Sequence, residues 1–150
     1  MKKERLSGLF LRIALSMALI VTLSVMSGTT AQSAEETINI GFLAALSGPD
    51  AGWGLPGITG NQIFIDRVNA EGGLLVGGKR YKLKMYKFDD EAIGSKALQG
   101  ARQLVLEHDV KFISAIGGNP ADATHPFLTK KKVFYATLIS TDIMPDRPYL

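Results

Sequence analysis

The chain has 150 residues with 17 basic and 14 acidic side chains, which give a formal net charge of +3. Four of the basic residues and one acid lie in residues 1–34, so residues 35–150 are formally neutral. A neutral body gives no electrostatic reason to expect nucleic acid or an anionic membrane as a partner. The absence of cysteine excludes disulfides, thiolate metal sites, a cysteine nucleophile and a lipid-modified cysteine.

Residues 1–34 have the order of an export signal. A basic start precedes an apolar run of 14 residues, 13–26, and small and polar residues follow it. Because a membrane span needs about 20 apolar residues, a cleaved signal is favoured over a membrane anchor. We expect cleavage near residues 31–34, no membrane insertion after removal, and a mature chain in the periplasm.

Strand and helix signals alternate after residue 37. In chain order they predict a strand at 38–43, a glycine-rich loop at 47–57, a helix at 58–70, a hairpin at 74–88 that turns at Gly77-Gly78, a helix at 95–108, a strand at 110–116, a loop at 117–122, a helix at 124–132 and a strand at 133–137. This alternation predicts an α/β fold with a mostly parallel sheet and right-handed crossovers. Ligands of such sheets bind at the carboxyl ends of the strands, which directs attention to loops 47–57, 117–122 and 138–142.

Two glycine-rich stretches look like nucleotide-binding motifs. Residues 52–57 read GxGxxG. A dinucleotide fingerprint begins where the strand ends, but this stretch begins nine residues after Leu43. The acid that would bind the ribose should follow about 20 residues on, but Asp89, at the end of a later strand, lies 32 residues after Gly57. Residues 73–79 read GxxxxGK, but Arg80 follows and no helix begins there, as a phosphate site requires. A dinucleotide-binding enzyme domain is therefore the less favoured alternative.

Residues suited to catalysis are few. His108 and His125 are the two histidines, and neither has the spacing of a metal ligand set. The acids of residues 89–91 stand at a strand-to-helix junction, where we expect them to solvate the loop and oppose the helix dipole. The sequence thus predicts no enzyme, no cofactor and no metal.

Four segments carry a resemblance to a known family: TINIGFLAALSGPDAGWG, NAEGGLLVGGKRYKL, YKFDDEA and LVLEHDVKFISAIG. Over residues 37–142 the chain resembles the amino-terminal lobe of leucine/isoleucine/valine-type solute-binding proteins of ABC importers. The resemblance implies a Rossmann-like α/β lobe of a type I periplasmic binding protein. Because residues 148–150 follow a turn-rich stretch without a closing element, we expect residues 35–150 to be part of lobe 1, with the second lobe absent.

The resemblance implies that an aromatic residue of the first loop packs on the ligand, and Trp53 occupies that position. A large apolar face bordered by glycines suits closure over a small ligand. Alternatively, this tryptophan only holds its own loop against the lobe surface.

In the relatives, the loop after the third parallel strand holds a ligand carboxylate with hydroxyls and helix N–H groups. The corresponding loop here, residues 117–122, contains no serine, and Asn119 and Pro120 stand nearest to the binding position. Asn119 also suits a helix N-cap with Pro120 as the first helical residue, and a further alternative has Asp122 as the cap with Pro126 closing the first turn. Asp122 would repel a carboxylate.

After the fourth strand, the relatives offer a backbone carbonyl and a hydroxyl to the ligand. Leu138, Ile139, Ser140 and Thr141 occupy this stretch, with Ser140 as the expected hydroxyl and Thr141 as the next candidate. Leu138 and Ile139 are larger than the residues expected there. Together with Asn119 they favour a more apolar pocket, and we hypothesise an aromatic or aliphatic acid as the ligand.

The resemblance therefore implies a non-enzymatic binding protein that is monomeric at full length. It is expected to hold a small carboxylate-bearing solute between two lobes and to deliver it to the permease subunits of an ABC importer. We expect residues 35–150 alone to bind solute poorly and to aggregate through exposed strand edges. The extracytoplasmic sensor domain of a receptor, which has the same fold, is the other alternative.

Overall fold

The computed structural model describes residues 36–139 and Tyr149, which belong to a compact unit spanning Glu35–Leu150. Strands and helices alternate along this part of the chain, as predicted. The strands are β1 (Thr37–Ala44), β2 (Leu74–Val76), β3 (Lys79–Asp89), β4 (Phe112–Gly117) and β5 (Phe134–Ile139). The helices are α1 (Ala51–Ala70), α2 (Gly94–Leu106) and α3 (Asn119–Lys131).

The strands form one sheet in the order β2-β3-β1-β4-β5. β3, β1, β4 and β5 run parallel, and β2 adds an antiparallel edge through its hairpin with β3. The hairpin turns at Gly77 and Gly78, whose φ angles of +57° and +82° suit a two-residue turn that only glycine adopts without strain. The predicted parallel α/β sheet and the predicted hairpin are confirmed.

Helices cover both faces of this sheet. Phe42 packs against Gly57 of α1, whereas its neighbour Leu43 packs close to Gly100 of α2. Because successive strand residues point to opposite faces, α1 and α2 lie on opposite sides. The main apolar core lies on the α2 and α3 side and includes Leu43, Ala101, Leu104, Val110, Ile113, Leu128 and Tyr135.

Three predicted boundaries near the carboxyl ends of the strands are wrong. α1 begins at Ala51 and not at residue 58, so residues 52–57 are helical and not a loop. α3 begins at Asn119 and not at residue 124. β5 continues through Ile139, so residues 138 and 139 belong to a strand and not to the expected loop. At the start of α1, Gly52, Gly54 and Pro56 have low helix propensity, so the helix forms there against the local preference of the sequence.

Some predictions fall on parts of the chain that the structure does not describe. The expected signal peptide, residues 1–34, and the candidate ligand contacts Ser140 and Thr141 lie outside the described residues. Within residues 36–139, no helix has the length and apolar character needed to cross a bilayer.

Candidate functional site

A cavity of about 210 Å³ lies where β1, β3 and β4 end. The residues that line it are Ala44, Ala45, Asp50, Trp53, Asp90, Ala92, Ile116, Gly117, Gly118, Asn119 and Pro120. Its position agrees with the expectation that ligands bind off the carboxyl ends of parallel strands. A larger depression of about 330 Å³ lies elsewhere, but α2 and the adjoining Glu107 supply all of its lining, so it is a groove along one helix.

Asp89 fixes the loop that leads from β1 into the cavity wall. Its Oδ1 accepts hydrogen bonds from the backbone N–H of Leu46 (2.8 Å) and of Glu91 (3.1 Å), and its Oδ2 accepts one from Ser47 Oγ (2.6 Å). Burial alone would raise the pKa of Asp89, but these hydrogen bonds to the ionised form lower it below the ordinary value. Asp89 therefore connects the end of β3 to the loop between β1 and α1.

Gly54 allows α1 to lie directly against the end of β1. A Cβ added at Gly54 would lie 1.8 Å from the carbonyl oxygen of Ala45, which no real side chain tolerates. Helix propensity alone disfavours glycine here, so the close approach explains why this position has no side chain. The contact sets the position of the neighbouring Trp53.

Trp53 lies in the first turn of α1, where its N–H donates to the carbonyl of Asp50 (3.0 Å). Its side chain borders the cavity and is 61% exposed. Since most of the ring is in contact with solvent, it contributes little to the core and remains available to a ligand. This exposure argues against the alternative that the tryptophan only holds its own segment in place.

The start of α3 forms the opposite wall. Gly117 and Gly118 have φ angles of +105° and +68°, which favour glycine, and Gly118 is the N-cap. Asn119 is therefore the first helical residue, so the predictions of Asn119 or Asp122 as the cap are both wrong. Pro120 follows it and is buried. The consecutive positive φ angles turn the chain sharply and place Asn119 and Pro120 on the cavity.

Asp90 also lines the cavity, and the role predicted for it is wrong. We expected it to solvate the loop, but it is 1% exposed. Its Oδ1 accepts a hydrogen bond from the N–H of Ala92 (2.8 Å), and burial raises its pKa. The signal available in the sequence is strand alternation, since Asp90 continues the face of Tyr86 and Phe88, which pack against the core.

The structure brings three of the six predicted contacts together, because Trp53, Asn119 and Pro120 line the same cavity. Ile139 ends β5 and pairs in register with the cavity residue Gly117, which places its backbone near this end of the sheet. Leu138, expected to make the pocket more apolar, is 74% exposed and is not among the cavity residues.

The two nucleotide-like motifs take other structures. Residues 52–57 lie inside α1, unlike the strand-to-helix turn of a dinucleotide fingerprint. Residues 73–79 form the hairpin between β2 and β3, as predicted. Among the described residues, no group of three or more histidine, cysteine or acidic side chains is placed to hold a metal ion.

A family model described as periplasmic binding protein matches residues 37–149, and the chain therefore belongs to this family. Among solved structures, it is similar to the branched-chain amino acid transporter substrate-binding protein LivJ from Streptococcus pneumoniae in complex with isoleucine (26% identity, TM-score 0.59, 67% of this chain and 28% of that chain). A periplasmic binding protein type 1 from Bordetella pertussis Tohama I is similar at 27% identity (TM-score 0.57, 67% of this chain and 26% of that chain).

A solute-binding protein of an ABC transporter from R. palustris, in complex with benzoate, shares the fold at 22% identity (TM-score 0.54, 66% of this chain and 26% of that chain). These comparisons confirm the resemblance to branched-chain amino acid family binding proteins and the type I lobe. The chain spans 26–28% of the length of these three structures.

Proposed function

We propose that this chain supplies one wall of the solute site of an extracytoplasmic binding protein that serves an ABC importer. The observation that carries the proposal is the cavity at the carboxyl ends of three parallel strands, with Trp53 exposed on one side and the start of α3 on the other. Membership of the periplasmic binding protein family supports the same role. A second lobe closing over this wall would surround the solute.

The proposed ligand is a small carboxylate-bearing solute, either like a branched-chain amino acid or an aromatic or aliphatic acid. A cavity of about 210 Å³ is smaller than the range of about 300–1,000 Å³ typical of pockets for drug-sized ligands. Its lining is largely apolar or backbone, with Asn119 as a neutral hydrogen-bonding side chain and with the carboxyl groups of Asp50 and Asp90. The proposed ligand contacts at the end of β5 and directly after it are Ile139, Ser140 and Thr141.

The same proposal includes export and delivery. Residues 1–34 act as a cleaved signal, residues 35–150 begin the mature protein in the periplasm, and ABC permease subunits receive the closed, monomeric form. Ligand binding shifts the population towards closure without chemical conversion of the solute. We propose no catalytic residue and no cofactor.

A thermal-shift screen of the natural protein that carries this sequence tests the proposal. The screen contains the common amino acids and matched aromatic and aliphatic acids. A true ligand at a hundred times its Kd stabilises the folded state by about 2.7 kcal/mol, which raises the Tm clearly. Failure of every solute to raise the Tm would contradict the proposed function.

A further inference from the structure

The charged side chains on the cavity all have the same sign. Asp50 and Asp90 line it, and no lysine, arginine or histidine is among the residues that do so in the described part of the chain. Asp50 precedes α1 and makes no side-chain cap hydrogen bond with it. A solute that enters this cavity therefore meets two carboxyl groups and no cation from this wall.

Asp90 is held firmly at the base of the cavity. Its N–H donates to the carbonyl of Ala44 (3.1 Å), and its Oδ1 accepts from Ala92 N–H (2.8 Å). A carboxylate has about four acceptor positions, so this bond leaves acceptor capacity at a side chain that is 1% exposed. A buried carboxylate is stable only when it is paired. Burial raises the pKa of Asp90, and the neighbouring charge of Asp89 raises it further.

Within residues 36–139, the titratable groups that act on Asp90 do not supply that partner. Asp89 at the end of β3 has a lowered pKa and stays ionised. Asp122 lies in the first turn of α3, and Tyr135 of β5 is a buried phenol whose pKa is raised by burial. The surroundings therefore favour a cation at Asp90 and oppose an unaccompanied anion.

The helix N-terminus next to the cavity is also a weak anion site. Pro120 has no N–H, and the N–H of Ala121 donates to the carbonyl of Gly118 (2.8 Å). Two of the amide positions that usually attract an anion at a helix start are therefore lacking or already bonded. A ligand carboxylate therefore receives fewer hydrogen bonds from the start of α3 than from a helix whose first N–H groups are all free.

We propose that Asp90 selects solutes that carry an ammonium group and pairs directly with that group. This inference rests on the proposed solute-binding function and narrows the class of ligand. The ammonium group of an amino acid would pair with the Asp90 carboxylate, whereas a plain aromatic or aliphatic acid would bring no cation to it. The carboxylate of such a solute is oriented away from Asp90. Asp90 is thus a specificity-determining residue of the cavity.

Two matched series test the inference by calorimetry on the natural protein. One compares leucine with isocaproate and isoamylamine, and the other compares phenylalanine with hydrocinnamate and phenethylamine. A charge-assisted hydrogen bond predicts that removing the ammonium weakens binding about tenfold to a hundredfold, whereas the amines retain the Asp90 contact. Binding of the des-amino acids as tightly as the amino acids overturns the inference and leaves the proposed function intact.

The variant Asp90→Asn tests the residue itself, because asparagine keeps an oxygen for Ala92 N–H and removes the charge. We expect the preference for amino acid over des-amino acid to fall about tenfold or more. Asp122→Asn, which removes the same charge from α3 outside the cavity lining, is the matched control. An equal loss of preference in both variants overturns direct pairing with Asp90.

Two further outcomes separate the proposals. If the solutes found by the thermal-shift screen carry no cationic group, the role of Asp90 is wrong and the binding function stands. If no solute binds, both proposals fail. The ligand series in the unmodified protein decides the matter even if Asp90→Asn does not fold.

Discussion

Gly54→Ala is the substitution to which the cavity wall is most sensitive. The new Cβ would lie 1.8 Å from the carbonyl oxygen of Ala45 and 2.7 Å from its carbonyl carbon. Ala45 directly follows β1, so its backbone cannot move freely. α1 must therefore shift by more than 1 Å, and Trp53 shifts with it.

The magnitude follows from two opposing effects. Replacing glycine by alanine inside a helix gains up to about 1 kcal/mol, whereas overpacking against fixed backbone costs about 1–3 kcal/mol or more. Gly52 lies in the same turn but has no atom within 4 Å of an added Cβ. Gly52→Ala is thus the matched control. Because the gain in helix propensity is common to both variants, we expect Gly52→Ala to exceed Gly54→Ala in unfolding free energy by the overpacking cost alone, about 1–3 kcal/mol.

Urea denaturation of both variants in the natural protein measures this difference, and Trp53 emission reports on the shift of α1. Gly54→Ala should lower the midpoint of unfolding and change the emission maximum of the folded state, while Gly52→Ala should do neither. Equal stability and equal emission of the two variants would refute the close packing of α1 on β1 and the placement of Trp53 derived from it.

Three other substitutions have defined outcomes. Asp89→Asn should lower the Tm at pH 7. Because the pKa of Asp89 is lowered in the folded state, the stability that its carboxylate contributes is present above pH 3.8 and is lost as the pH falls through the folded value. Scanning calorimetry should therefore show the Tm values of the variant and the parent converging in acid. Asp90→Asn should raise the Tm at pH 7. Because the pKa of Asp90 is raised in the folded state, the parent protein loses stability as the pH rises from 3.8 through the folded value. A Tm difference between variant and parent that is as large at low pH as at pH 7 would contradict this. Gly100→Ala places a Cβ 2.3 Å from Phe88 and should cost about 1–3 kcal/mol in urea denaturation, whereas a neutral effect would contradict the packing of α2 on the sheet.

Much of the fold can be predicted from the sequence, because the patterns that indicate its strands, helices and hairpin turn are local. The alternation of strands and helices predicts the parallel sheet, and Gly77-Gly78 predicts the hairpin. The start of α1 cannot be predicted in this way, because Gly52, Gly54 and Pro56 each disfavour a helix locally. The fit of Gly54 against Ala45 depends on residues that meet only in the folded structure.

The candidate site divides in the same way. The rule that ligands lie at the carboxyl ends of strands predicts that residues 47–57 and 117–122 contribute to one site, and the family resemblance selects Trp53 and Asn119 within them. It does not show which acid of residues 89–91 enters that cavity. Asp89 turns to the β1 loop and Asp90 turns inward, and strand alternation from Phe88 is the physical feature that separates them.

Removal of the exposed indole tests the central claim most directly. A tryptophan side chain of about 250 Å² that is 61% exposed offers about 150 Å² to a ligand, and covering half of this area is worth about 2 kcal/mol, or about thirtyfold in affinity. Phe64→Ala is the control, since Phe64 lies on the same helix, is 59% exposed and is not among the cavity residues.

Calorimetry with the tightest solute from the thermal-shift screen compares the two variants in the natural protein. We expect Trp53→Ala to weaken binding about thirtyfold and Phe64→Ala to leave the affinity within about twofold of the parent. An unchanged affinity after Trp53→Ala, or an equal loss in both variants, would contradict a solute site at the carboxyl ends of β1, β3 and β4.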